Sequence, residues 1–126
     1  MWIVKPGENS NRGIGITVCD SLKDIEQAVR ISLNKGRSIV LQQYLTHSLL
    51  INRRKFDIRC FMLVTSINGH IKAYFYKDGY LRTSSKEFNL KQLGNKYIHL
   101  TNDAVQSKGD DYGKFEAGNK LSYADF

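Results

Sequence analysis

The 126 residues, 41% hydrophobic and 25% charged, suffice for one domain with its own core and are too few for two ordinary ones. No apolar stretch approaches a membrane span and no secretory signal is visible; Cys19 and Cys60 make neither a zinc site nor a disulfide framework, so a reducing, cytosolic chain is expected. Nineteen Lys and Arg against twelve Asp and Glu leave +7, an excess that favours anionic partners such as nucleotides, nucleic acid, anionic lipid or an acidic polypeptide without choosing among them.

The chain opens in a strand over residues 2–5, closed by Pro6-Gly7. A glycine-rich polar loop over 7–15 (GENSNRGIG) leads back into a strand at Ile16-Thr17-Val18, which predicts a hairpin. Ser21 with Asp24 three residues on starts a helix. Leu22, Ile25, Ala28, Val29 and Leu33 follow at helical spacing, and Asn34-Lys35-Gly36 stops it. Residues 38–45 (SIVLQQYL) read as a strand. Residues 56–66 alternate as a longer one, with Phe56, Ile58, Cys60, Met62 and Val64 on one face and Asp57, Arg59, Phe61 and Leu63 on the other.

Asn68-Gly69 and Asp78-Gly79 are hairpin signals, so strands over 56–66, 71–77 and 80–84 are expected to form an antiparallel meander. Two-residue turns would set Met62 opposite Phe75 and Phe75 opposite Arg82, placing Arg82 on the face away from Asp57 and Arg59. A bulge or a longer first loop is then expected to restore the parity. Beyond Ser85 the chain reads as irregular and polar apart from residues 97–100, with a last helix starting near Ser122. The ends look like cuts through a longer protein. The fold class is α+β.

Asp57 and Arg59 leave the same face of a strand beside Phe61 and Leu63, where charges are costly unless paired or facing a ligand. A partly exposed salt bridge would satisfy them. Arg53, Arg54 and Lys55 immediately before them raise the local density of cations to one suited to phosphate oxygens. The loop 7–15 lets backbone amides approach a phosphate with Lys5 supplying charge, yet it is neither a Walker A loop nor a dinucleotide fingerprint, because Gly13-Ile14-Gly15 enters a strand. Arg82 is followed by three hydroxyls, and His99-Leu100-Thr101-Asn102 forms a compact polar cluster; a lone histidine is more often structural than reactive.

In chain order the motifs are Trp-Ile-Val-Lys-Pro, the glycine loop, Val-Leu-Gln-Gln-Tyr-Leu, Arg-Lys-Phe-Asp-Ile-Arg, Leu-Arg-Thr-Ser-Ser and His-Leu-Thr-Asn. This order resembles the tubulin–tyrosine ligase family, with its polyglutamylase and polyglycylase branches, over essentially the whole chain. The resemblance implies an ATP-grasp fold, of which residues 1–126 would be the central part of one domain, truncated at both ends. It also implies ATP-dependent ligation of tyrosine, glutamate or glycine to a carboxylate of tubulin or a similar acidic protein, through an acyl phosphate. Tubulin's acidic tail and a free amino acid are the implied partners. The implied location is cytoplasmic, on the cytoskeleton or at cilia.

By the same resemblance Lys5 contacts phosphate, Arg12 and Gly13 lie in the loop covering it, and Gln42, Gln43, Tyr44 and Leu45 read adenine largely through backbone groups. Lys55, Phe56 and Asp57 line the nucleotide site, Thr101 and Asn102 return to it, and Arg59 lies toward the reacting centre. Arg82 would hold the carboxylate of the amino acid or the acceptor tail, and His99, part of the matched motif, is placed with Arg59 and Arg82 among the catalytic residues. The loop 7–15 is about one residue longer than the family's usual form. The family's Mg²⁺-binding acid and Glu-x-Asn cluster would lie beyond Phe126, so no metal ligand is expected here and the isolated chain is expected to be inactive. The alternatives are another ATP-grasp carboxylate–amine ligase, or a non-catalytic basic module for microtubules or nucleic acid, with Tyr74, Phe75, Tyr76 and Tyr80 available to stack on bases.

Overall fold

A computed structural model describes residues 1–8 and 10–126; Asn9, inside the predicted glycine loop, lies outside the described residues. Strand β1 (Trp2–Pro6) pairs antiparallel with β2 (Thr17–Cys19) and with β3 (Ile39–Gln43), giving the order β2-β1-β3. Between β2 and β3 runs α1 (Leu22–Leu33). Ser21 caps it in extended conformation, its hydroxyl accepting from the Asp24 amide at 3.2 Å, and one of the orphan donors of the helix is thereby met.

Successive β1 residues serve opposite faces. Ile3 joins Val18, Tyr44, Leu100 and Val105 in the apolar core, whereas Val4 and Cys19 are buried on the alternate face, against which α1 lies. The helix turns Ile25, Ala28, Val29 and Ser32 inward, yet Leu22, Ile31 and Leu33 remain exposed. Its apolar stripe is therefore only half covered.

A four-stranded sheet follows in the order β4-β5-β8-β9: β4 (Leu50–Ile51), β5 (Arg54–Arg59), β8 (Tyr80–Glu87) and β9 (Lys120–Ser122). The β4–β5 turn places Asn52 and Arg53 at positive φ, a two-residue hairpin turn built without glycine. Between β5 and β8 the chain makes the separate hairpin of β6 (Met62–Ile67) and β7 (His70–Phe75). Asn68 and Gly69 turn it with φ of 50° and 81°, and Met62 stands opposite Phe75 as the turn predicts.

The expected three-stranded meander does not form. The predicted strand over 56–66 breaks at Cys60-Phe61 into β5 and β6, which belong to different sheets, and β8 passes over β7 to pair with β5. Arg82 consequently stands opposite Asp57 rather than Phe75, on the same face as Asp57. Neither a longer loop nor a bulge in the meander produces this parity; the change of strand partner does. A register shift does occur in β5, between Arg54 and Phe56. Asp78-Gly79 is not a hairpin turn, since neither residue takes positive φ. Gly79 serves close approach instead: a Cβ there would collide with the Arg59 carbonyl and the Tyr123 hydroxyl as the chain crosses the end of β5.

The segment after β8 is less irregular than its composition suggests. It forms two short helices, α2 (Lys96–His99) and α3 (Asp103–Gln106), and the helix expected near Ser122 is replaced by β9, which pairs with β8.

Candidate functional site

Lys5 on β1 faces the same side as Gln42 on β3, and its ammonium donates to Gln42 Oε1 at 2.6 Å. Lys55 on β5 comes from the other sheet. Its ammonium donates to the Tyr44 hydroxyl at 3.1 Å and sits 4.4 Å from the centre of that ring. Burial lowers the Lys55 pKa, and the charge of Lys5 lowers it further, so the two sheets deliver their lysines to a shared electrostatic environment. Among the described residues neither ammonium is in a salt bridge. Two neighbouring cations held by neutral groups form a donor set that suits an anion rather than a metal.

The glycine loop returns over this region. Gly13, at φ 78°, packs so closely on the 100–105 segment that a Cβ would stand 2.7 Å from Val105 Cγ2 and 3.2 Å from Asn102 Oδ1. Lys5, Arg12, Gly13 and Asn102 line one hollow of about 240 Å³. Thr101 is half-buried between Asn102 and the core residue Leu100. The base of the loop is tied down where Glu8 accepts from both the Ser38 amide and hydroxyl at 2.8 Å, and these bonds hold the Glu8 carboxyl below its usual range.

Asp57 and Arg82 face each other across β5 and β8. The guanidinium donates from Nε to Oδ1 at 3.0 Å and from Nη2 to Oδ2 at 2.7 Å, a side-on pair that raises the Arg82 pKa. Arg82 is thus already matched by a carboxylate, unlike Lys5 and Lys55. Arg59 lies exposed at the end of β5 on the Asp57 face, opposite Tyr80.

Other expected site residues are placed elsewhere or turned inward. Phe56 points to the opposite face, its ring 5.6 Å from Phe126. Gln43 and Leu45 are exposed, while the Tyr44 ring is buried and its amide donates to the Met1 carbonyl. His99 is 3% exposed, with Nδ1 at 2.9 Å from the Tyr44 hydroxyl and Nε2 at 3.1 Å from the Gln92 carbonyl.

The three hydroxyls after Arg82 also turn inward. Thr83 donates to Glu116, the Ser84 hydroxyl accepts from the Lys55 amide, and Ser85 donates to Gln106 at 2.6 Å. Glu116 also pairs with buried Arg54, and Asn119 donates to the Thr83 carbonyl and the Ser85 hydroxyl, each at 3.0 Å. Reading the sequence did not single out Gln106, Glu116 or Asn119. No spacing rule flags a polar residue whose partner lies 21 to 62 positions away. Among the described residues no three His, Cys, Asp or Glu side chains gather to hold a metal, and no helix is long and apolar enough to cross a membrane.

The sequence model of the tubulin-tyrosine ligase family matches residues 1–125. The chain belongs to this family. Among its curated relatives, tubulin glycylase 3B of Drosophila melanogaster is 45% identical over 108 residues, 86% of this chain and 14% of the glycylase. The human tubulin monoglycylase TTLL3 is 40% identical over 84% of this chain and 14% of its own length. The human tubulin monoglutamylase TTLL4 is 38% identical over 88% of this chain and 9% of its own length. The chain therefore spans about one-seventh or less of each of these relatives.

Proposed function

We propose that this chain supplies the phosphate-gripping part of an ATP-grasp ligase that joins an amino acid to a carboxylate of tubulin or a similarly acidic protein. The observation that carries the reading is that Lys5 and Lys55, from separate sheets, are bonded to Gln42 and Tyr44, two residues apart in the chain, with no salt bridge to either among the described residues, and that Lys5 lines a hollow with Arg12, Gly13 and Asn102. Like charges repel in a half-buried setting unless an anion joins them. A triphosphate is such an anion. The names of the relatives, tubulin glycylases and a tubulin monoglutamylase, favour glycine or glutamate as the amino acid, and work at the cytoskeleton in the cytoplasm or at cilia is part of the same proposal.

ATP, as substrate, would convert the acceptor carboxylate to an acyl phosphate that the incoming amine displaces. Lys5 and Lys55 hold phosphate oxygens and offset the charge that develops in transfer. Arg12 and the loop amides around Gly13 close over them. Gln42, bonded to Lys5, borders the space for the base, to which residues 43–45 would offer backbone groups only, and Asn102 lines the phosphate side. Arg82, fixed by Asp57, presents its remaining N–H groups toward a carboxylate, with exposed Arg59 beside it on the route of an acidic tail. Among the described residues no three His, Cys, Asp or Glu side chains gather, and no step is assigned to a metal held by this chain.

The test is calorimetry with ATP on the full-length protein, alongside ATP-dependent incorporation of labelled glycine or glutamate into tubulin. Lys5→Met and Lys55→Met are each expected to weaken ATP binding by roughly 10- to 100-fold, the scale of a charged hydrogen bond. Unchanged binding in both variants, or binding of single-stranded DNA in preference to ATP, would overturn the reading. The isolated 126 residues are expected to incorporate nothing.

A further inference from the structure

We propose that Tyr44 and His99 are positioning residues that hold the Lys55 ammonium in place, through a hydrogen-bond chain of fixed direction anchored on the Gln92 carbonyl. The inference rests on the reading of Lys55 as a phosphate ligand and assigns the two buried side chains a joint task that neither a base-reading nor a proton-transferring role supplies.

The direction of the chain follows from what each atom can do. A carbonyl oxygen only accepts, so the contact of 3.1 Å between His99 Nε2 and Gln92 O places the ring proton on Nε2. Nδ1 of the neutral ring is then an acceptor, and the Tyr44 hydroxyl 2.9 Å away donates to it. With its proton committed, the hydroxyl offers a lone pair outward. The Lys55 ammonium, which can only donate, takes it at 3.1 Å. A half-turn of the imidazole would set ring carbons against the Tyr44 hydroxyl and the Gln92 carbonyl and lose both hydrogen bonds, which holds the ring as it stands between the edge-on rings of Tyr44 and Phe88, 5.7 and 6.0 Å away.

What this does for Lys55 is clear beside Arg82. Arg82 is oriented by a carboxylate and loses free charge in the process. Lys55 is oriented by a neutral hydroxyl and the face of its ring, so its position is fixed and its charge is left for a ligand. A lysine carries a long flexible stem, and ordering it before the ligand arrives removes a cost of binding. Burial raises the Tyr44 pKa to about 12, which keeps the phenol neutral, and lowers that of His99, which keeps Nδ1 free to accept. Both directions agree with the chain read from geometry.

The experiment is a double-mutant cycle on the full-length protein, with ATP as the probe: wild type, Tyr44→Phe, Lys55→Met and both together. Tyr44→Phe keeps the buried ring and is expected to raise the ATP dissociation constant about five- to tenfold, with a melting temperature below that of wild type because buried His99 Nδ1 loses its donor. That loss is expected to vanish in the Lys55→Met background. His99→Leu should reproduce it, and His99→Asn, whose amide oxygen falls near the Nδ1 position, should recover most of it. The ¹⁵N ammonium signal of Lys55 should shift with Tyr44→Phe even without ATP. Equal ATP affinity in Tyr44→Phe and wild type, or a loss that persists in Lys55→Met, would overturn the positioning role and leave the nucleotide reading standing. Failure of the wild-type protein to bind ATP would overturn both.

Discussion

The sheet β2-β1-β3 rests on Ile3, Val18, Tyr44, Leu100 and Val105, whereas the buried residues around β5 and β8 include Arg54, Thr83, Ser84 and Ser85, with Gln106 and Asn119 reaching in from later segments. One sheet is held by area removed from water and the other by matched polar groups. The first kind of contact tolerates small shifts and changes of shape. The second is unforgiving, because each buried donor or acceptor that loses its partner keeps the full cost of its desolvation. The difference suits their tasks. The β5–β8 sheet must hold Lys55, Asp57 and Arg82 in fixed register, and a polar interior defines that register only if each buried side chain meets its own partner, as Ser84 meets the Lys55 amide and Thr83 meets Glu116.

Breaking one polar link should therefore cost more than trimming the apolar core. Arg54 is 1% exposed and is met by Glu116, by the Ser84 carbonyl at 3.1 Å and by the Phe115 ring at 4.2 Å. Burial alone would push the Glu116 carboxyl up, but Arg54 and Thr83 outweigh it and hold it down. Glu116→Ala leaves a buried guanidinium without its anion and is expected to destabilise by about 3–5 kcal/mol. Ile3→Val in the apolar core is expected to cost about 0.5–1.5 kcal/mol. Urea denaturation of the full-length protein measures both. The paired replacement Arg54→Met with Glu116→Leu sharpens the contrast: it should recover most of the Glu116→Ala loss, since no charge remains to be matched.

Tyr44 and His99 lie where the two kinds of interior meet, and their contribution should depend on pH. Burial lowers the His99 pKa below its ordinary 6.5, the Gln92 hydrogen bond opposing this in part and the Lys55 charge adding to it. The unfolded chain then takes up a proton before the folded one does. Stability from this residue is complete above about pH 6.5 and is lost as pH falls below it, by roughly 1.4 kcal/mol for each unit separating the two pKa values. His99→Asn cannot titrate. Denaturation at pH 7 and pH 5 should show a larger loss for wild type than for His99→Asn, and equal losses would place the acid sensitivity elsewhere.

The apolar half of this comparison is legible in the sequence. Helical spacing with a Ser21 cap located α1, strand-sized runs located β1, β2 and β3, and Asn68-Gly69 located the turn between β6 and β7. The break at Cys60-Phe61 was not legible, because alternation continues through it and nothing local tells a strand to exchange one sheet for another. The candidate site divides in the same way. Motif order marked Lys5, Arg12, Gly13 and Asn102, which line one hollow, and Lys55, which feels the charge of Lys5. It assigned Tyr44 a backbone role and could not pair its hydroxyl with His99, which is 55 residues away. Long-range hydrogen bonds leave no period in a sequence, and here they decide how the charged groups are held.

Arg53 and Arg54 give the smallest and cleanest version of the contrast. They are adjacent and identical, so composition and propensity treat them alike, yet Arg54 faces the interior and Arg53 turns outward at φ 63°. Arg53 pairs with Glu87 at 3.0 Å, the two side chains being 80% and 57% exposed. In water the attraction is weakened by the solvent and opposed by the entropy of holding two long side chains together, so such a pair couples by roughly 0.2–1 kcal/mol. A double-mutant cycle with Arg53→Gln and Glu87→Gln isolates that coupling from any effect on the positive-φ turn, because the turn contribution of Arg53→Gln appears on both arms and cancels. The coupling should fade further at about 1 M salt, where screening acts within about 3 Å, while the cost of Glu116→Ala should persist because salt does not reach a buried pair. A coupling above about 2 kcal/mol, insensitive to salt, would mean that the exposed pair also secures the β4–β5 turn against the sheet, and the division between an inner polar lock and a solvated rim would have to be redrawn one residue further out.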